Sequence, residues 1–143
     1  MPNVVFDASS LVGALLKQGS IPERALLLAR ARDTICLSFD VIAEIREVFL
    51  RPKFRPHLPA GGTELILDVL TAAARTIEPT IAVNDCRDAK DNKYLELALA
   101  GAVTAIIASG EDLLSLDPWR GVRIITPAEY VLRYEAPGVQ TPK

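Results

Sequence analysis

Sulfur, imidazole and aromatic rings are all scarce in this chain, and each scarcity narrows what it can be. The two cysteines, Cys36 and Cys86, stand far apart with no metal-ligand spacing, so they read as buried thiols in a reducing compartment. The single histidine, His57, has no acid as an evident partner, which disfavours a Ser/His/Asp hydrolase and leaves it as a surface residue. Aromatics make up only 6% of residues; the core is therefore expected to be aliphatic helices on aliphatic strands, not an aromatic-rich β-sandwich. No excess of one charge is present either. A formal net charge of -2 gives no global pull toward a polyanion, so contact with nucleic acid must come from a local basic patch or from bound metal. Every apolar run is broken by charge, Pro or Gly before it reaches membrane-spanning length. The start, Met1-Pro2-Asn3 leading into a short apolar run, lacks the charged flank of a signal peptide. A soluble cytoplasmic protein is the expectation.

The chain does have enough apolar residues for a core. With 143 residues, 50% of them hydrophobic, it fits a single domain needing no disulfide or structural metal. Val4-Val5-Phe6 reads as a strand, with a helix over Leu11 to Leu16 capped by Ser9 or Ser10. Pro22 opens a second helix that ends near Arg30 and Arg32. Thr34 to Ser38 reads as a strand, and a helix follows from Asp40 to about Leu50 with Val41, Ile42, Ile45, Val48 and Phe49 on one face. Arg51 to Pro59 reads as a basic, proline-stiffened loop without regular structure. A helix over Thr63 to Arg75, capped by Thr63, then leads to an irregular stretch from Ile77 to Val83. Asp88 to Ala100 reads as a helix stopped by Gly101. Ala105 to Ala108 forms a buried strand, and a single helical turn starts near Glu111. Val122 to Ile125 is the last strand, and Thr126-Pro127-Ala128-Glu129 opens a final helix to about Tyr134. Residues 1–134 form the domain, and 135–143 are expected to be a flexible tail. Strands alternating with helices imply a parallel sheet covered on both sides, the α/β class. Right-handed crossovers put all strand carboxyl ends on one edge.

Acids gather in the sequence where that edge should lie. Asp7 ends the first strand, Glu44 comes just over one turn into the helix after the second, and Asp112 follows the Ile106-Ile107 strand. Asp88 and Asp91, three apart, share one face at a helix start. Carboxylates brought close repel and call for a cation between them. An all-oxygen set suits Mg²⁺ or Mn²⁺ over zinc, and such ions activate water and stabilise charge on a phosphoryl group. A plainer role is open to each acid: Asp7 as a turn former, Glu44 as an exposed edge residue, Asp88 and Asp91 as a cap and its dipole partner, and Asp112 as a cap. Only their co-occurrence argues for chemistry.

The residues that carry a resemblance are Val4-Val5-Phe6-Asp7 with Leu11-Val12; Ser38 through Glu44-Ile45-Arg46-Glu47-Val48 to Arg51-Pro52-Lys53-Phe54; Cys86 through Asp88-Ala89-Lys90-Asp91-Asn92-Lys93-Tyr94 to Ala98; and Asp112-Leu113-Leu114 leading to Ile125-Thr126-Pro127. In order and spacing this chain resembles the PIN-domain proteins, and within them the VapC-like toxin components. The resemblance implies a three-layer α/β/α sandwich with a central parallel sheet, cleaving RNA with Mg²⁺ or Mn²⁺. By position, Asp7, Glu44 and Asp91 match the core acids, Asp88 an extra acid and Asp112 an acid of the fourth motif. Ser9 and Ser109 are expected to position water or substrate. The resemblance also implies an RNA substrate, a homodimer and a cognate antitoxin protein that inserts a side chain into the acidic pocket.

Two departures stand out. Ala8-Ser9 follows Asp7 where the family often has Thr-Asn, and Gly110 stands where an acid is expected, leaving Glu111 or Asp112 to substitute. Arg51, Lys53 and Arg55, with Arg46 one turn earlier, are candidates for RNA phosphates or for a solvated loop. Lys93 is a candidate neighbour of the scissile phosphate, and Trp119 reads as a loop anchor. Two other functions remain open. One is a catalytically weak PIN-like protein-binding module. The other is a phosphotransfer domain, against which stand Ser9 in place of a phosphatase's second acid and Thr126-Pro127 in place of a receiver's lysine.

Overall fold

The computed structural model describes residues 2–135; of the expected tail, 135–143, Glu135 instead ends the last helix and the rest lies outside the described residues. Five parallel strands form one sheet in the order β3-β2-β1-β4-β5. They are β1 (Asn3–Phe6), β2 (Thr34–Leu37), β3 (Arg75–Thr76), β4 (Ala105–Ile107) and β5 (Arg123–Ile125). Their register is set by pairs such as Val4 with Ile35 and Phe6 with Ile107. Val4, Val5, Phe6, Ala105, Ile106 and Ile107 are all essentially solvent-free. Such unbroken apolar strands arise only where helices cover both faces of a sheet, and the expected three-layer α/β/α arrangement is what the chain adopts.

The helices are α1 (Ala8–Leu16), α2 (Ile21–Arg32), α3 (Phe39–Phe49), α4 (Gly62–Ala73), α5 (Asn92–Ala100), α6 (Glu111–Leu114) and α7 (Pro127–Glu135). On α3, Val41, Ile45, Val48 and Phe49 are buried, as the stripe requires, and the capping box of α7 forms in both directions between Thr126 and Glu129. None of these helices is long and apolar enough to cross a membrane.

Several expectations need correction. Neither Ser9 nor Ser10 caps α1: Asp7 does, accepting the Ser10 N–H. The segment after Arg51 is a 3₁₀ helix, Pro52–His57, because Pro52 occupies a first-turn position where no N–H is needed and short 3₁₀ runs tolerate Pro56. Thr63 does not cap α4. The chain enters that helix through Gly61 at φ 76°, a left-handed conformation that favours glycine. The same helix stops at Ala73, since Arg75 and Thr76 pair with Cys36 and Leu37 as an edge strand. Asp88 to Ala100 is not one helix but a 3₁₀ turn, Ala89–Asp91, running into α5. Gly101 ends α5 with ordinary helical φ, and Ala102 takes the left-handed conformation instead. A Cβ on Gly101 would meet the Cys36 sulfur at 3.2 Å, so packing against β2 accounts for that glycine.

The winding places the site. From β1 the chain builds outward through β2 to β3, then crosses back to β4 and β5, so the direction reverses between β1 and β4. Open α/β sheets form their crevice at the carboxyl ends of such strands.

Candidate active site

Asp7 leaves β1 at this reversal. One carboxylate oxygen accepts the Ser10 N–H at 2.9 Å and the other accepts the Ser109 N–H, at the end of β4, at 3.0 Å. The carboxylate thus locks the two central strand ends together, and it is only 6% exposed. Two of its roughly four acceptor positions stay available. The hydroxyls of Ser10 and Ser109 meet at 2.9 Å beside it. Ser9, the expected hydroxyl, is instead exposed and lines a separate hollow: as the second residue of α1 it points away from the Asp7 cap that binds the N–H of its neighbour.

Glu44 approaches from α3. Its Oε1 accepts the Tyr94 hydroxyl at 2.5 Å and the Lys93 ammonium at 3.0 Å. Tyr94, fully buried on α5, also accepts the Ala8 N–H at 2.9 Å. Through one phenol the residue after Asp7 and the carboxylate of Glu44 become a connected unit. Burial and the Glu44 carboxylate hold the Tyr94 phenol well above its usual pKa, so it stays a donor. Asp91 closes the 3₁₀ turn at the head of α5. Burial pushes its carboxyl up to about 6, helped by the charges of Asp88, Glu44 and Asp7 and opposed by Lys93. Asp88 caps the turn by accepting the Lys90 N–H at 3.1 Å. Buried Asn92 fixes the turn from below, accepting the Cys86 N–H at 2.8 Å. Asp112 extends the same neighbourhood: the buried Cys86 thiol, raised mainly by its burial, feels the charges of Asp91, Asp112 and Asp88.

The four segments therefore meet electrostatically at one edge of the sheet. Two of their carboxylates carry protein cations. Lys93 neutralises Glu44, and Arg87 reaches Asp112 at 2.7 Å. Among the described residues no three His, Cys, Asp or Glu side chains stand close enough to hold one ion. The donor set still fits a hard divalent cation in its chemistry, being all carboxylate oxygen, with the Asp91 carboxyl raised first by burial and then by its acidic neighbours. Gly110, where an acid was expected, has ordinary backbone angles, and a Cβ placed on it would meet nothing within 4 Å, so space for an acid exists there.

The basic residues divide. A hollow of about 310 Å³ opens on Glu44 and is lined by Glu47, Arg51, Lys90 and Lys93 among others. A larger one of about 580 Å³ lies beside Ser9 and includes Arg51, Lys53 and His57. Arg46 turns elsewhere, donating twice to Glu64 on α4 at 2.8 and 3.3 Å. Arg55 lines neither hollow. Trp119 is buried and donates to Asp85 at 2.8 Å, the expected loop anchor. Reasoning from sequence missed Tyr94, Asn92 and Ser10. The only signal for Tyr94 was its place three residues after Asp91, where a buried aromatic also reads as core.

Residues 3–109 match the family model described as PIN domain. An uncharacterized protein of Methanocaldococcus jannaschii is 31% identical over 145 residues, covering 92% of this chain and 91% of that protein. The crystal structure of Mycobacterium tuberculosis VapC20, a Sarcin-Ricin loop cleaving toxin, matches with a TM-score of 0.55 at 12% identity, covering 84% of this chain and 98% of that chain. At that identity the likeness is one of fold.

Proposed function

This chain belongs to the PIN-domain family, and from that premise we propose that it is an Mg²⁺- or Mn²⁺-dependent endoribonuclease, the toxin of a type II toxin-antitoxin pair. The observation that carries the reading is the gathering of Asp88, Glu44 and Asp7 around Asp91 at the reversal point of the sheet, where burial first and then their charges raise its carboxyl. Asp7, Glu44 and Asp91 would hold the ion, with Asp88 and Asp112 beside them. When bound, the ion activates water and stabilises charge building on the phosphoryl group. The chain's own groups do the rest. Tyr94 orients Glu44 while staying protonated, and the Asp7 carboxylate keeps the ends of β1 and β4 at fixed separation. Ser109, with Ser10 hydrogen-bonded to it, supplies a hydroxyl at the strand end that can orient water or a phosphate oxygen. Lys93, ion-paired with Glu44 at 3.0 Å, would supply a cation beside the phosphate.

A weakly catalytic binding module is the second reading, favoured by Gly110 and by the cations already on Glu44 and Asp112. A phosphotransfer role fits poorly, since Ser9 stands in place of a phosphatase's second acid and Thr126-Pro127 in place of a receiver's lysine. The test is cleavage of a mixed RNA pool with Mn²⁺, with and without chelator, by wild type and Asp91→Asn. Cleavage is expected only from wild type with metal. Equal cutting in all lanes signals contamination and removes the nuclease reading.

A further inference from the structure

The larger hollow of about 580 Å³ is walled by α1, α3 and the Pro52–His57 helix. Its wall combines two chemistries. Leu16, Val48 and Phe54 give it apolar surface, while Lys17, Arg51 and Lys53 give it positive charge, and no acid among the described residues lines it. That lining contrasts with the acidic edge next to it. Two residues connect the sites: Ser9, lining the hollow, follows Asp7 by two positions, and Arg51 lines both this hollow and the one that opens on Glu44. A flat apolar group joined to an anion is what such a lining accepts. Its volume exceeds that of a water cluster and falls in the range of small-ligand clefts.

We propose that this hollow is a nucleotide subsite, taking one nucleotide of a single-stranded RNA with its base against Phe54, Leu16 and Val48 and its phosphates on Lys17, Arg51 and Lys53. The subsite rests on the nuclease reading for its biological meaning, but its binding is a property of its own. Base stacking on an aromatic ring tolerates any base, so the site grips the strand with little sequence preference. The Lys53 ammonium lies over the Phe54 ring, 5.0 Å from its centroid, so the phosphate partner and the aromatic ring sit together. Charge complementarity is the argument against a protein segment as occupant, since an apolar peptide has no use for three cations.

The experiment uses the full chain carrying Asp91→Asn, which keeps RNA intact, and a fluorescein-labelled single-stranded RNA octamer followed by anisotropy across a salt series. Phe54→Ala, and Phe54→Leu as a variant that keeps apolar packing without a ring, should weaken binding roughly tenfold while leaving the salt slope unchanged. Lys53→Glu should weaken binding and reduce the slope of log affinity against log salt by about 0.7. Adenosine and uridine 5′-monophosphates should shift the amide resonances of Ser9, Phe54 and His57 in the parent and not in Lys53→Glu. Octamer affinity within twofold of the parent in all three variants overturns the proposal. So does failure of both octamer and mononucleotides to bind, which would leave the hollow to a protein partner. The two readings separate cleanly. Metal-dependent cleavage with KM unmoved by Phe54→Leu and Lys53→Glu removes the subsite and keeps the nuclease. Mononucleotide binding lost in Lys53→Glu, in a chain that cuts no RNA, keeps the subsite and removes the nuclease.

Discussion

Replacing Asp91 by Asn should make the metal-free protein more stable at neutral pH while abolishing its chemistry. In the fold the Asp91 carboxyl rises from 3.8 to about 6, so the folded chain holds that proton more tightly than the unfolded chain does. The resulting stabilisation is complete below pH 3.8 and is lost as pH climbs through about 6. At pH 7.5 the ionised group is a net cost. A rise of this size sets a ceiling of about 3 kcal/mol, and because Asp91 is only partly buried, solvent screening reduces it to on the order of 1 kcal/mol. Asn keeps the shape and removes the charge. Thermal unfolding followed by circular dichroism, with chelator, should therefore place Asp91→Asn roughly 3–6 °C above wild type at pH 7.5, with the gap closing toward pH 4. Mn²⁺ at about 100 times its dissociation constant should restore about 2.7 kcal/mol to wild type and little to the variant. A variant no more stable than wild type at pH 7.5, or a gap that does not depend on pH, refutes the electrostatic reasoning. Stability given up at a functional site is the pattern expected if Asp91 is retained for binding an ion.

Further outcomes follow from single contacts. Tyr94→Phe strands the buried Ala8 N–H and frees Glu44; it should cost about 1–3 kcal/mol of stability and lower kcat roughly 10- to 100-fold with KM nearly unchanged, as loss of an orienting partner does. Steady-state cleavage kinetics beside denaturant unfolding separate the two effects. Gly110→Asp enters open space at ordinary backbone angles and at the N-cap of α6; calorimetry should show tighter Mn²⁺ binding, with stability changed by only a few tenths of a kcal/mol. Tyr130→Phe removes one of two phenols that donate to buried Asp33 at the opposite edge of the sheet; urea unfolding should show a loss of about 1–3 kcal/mol, with the cleavage rate of the folded protein unmoved.

Much of this architecture is legible in the sequence because its signals are local. Val4-Val5-Phe6 ending at an acid, and a β-to-α alternation thereafter, suffice to put a parallel sheet and its carboxyl edge in place, and Asp7 with them. Glu44 is legible as the polar border of an apolar stripe. What escapes is what depends on distant partners. Arg75 and Thr76 form a strand only because Cys36 and Leu37 present a free edge, and two exposed residues carry no alternation to read. Tyr94 is indistinguishable from core until Glu44, fifty positions away, is seen to accept its hydroxyl. Ser9 and Ser10 are equivalent on paper, yet helix geometry gives Ser10 to the site and Ser9 to the neighbouring hollow. Arg46 looks like part of a basic stripe until Glu64 on the next helix claims it. Local propensity fixes which elements form, and the long-range contacts decide which side chains meet.

The central claim is that Asp7, Glu44 and Asp91 share a divalent ion once Lys93 yields its carboxylate. Mn²⁺ titration of the full chain by electron paramagnetic resonance, alongside Asp7→Asn, Glu44→Gln and Asp91→Asn, measures this directly. One saturable site in wild type, weakened at least tenfold by each substitution and tightened by Lys93→Ala, is the predicted result. Absence of saturable binding, or an affinity indifferent to all three substitutions, would contradict it.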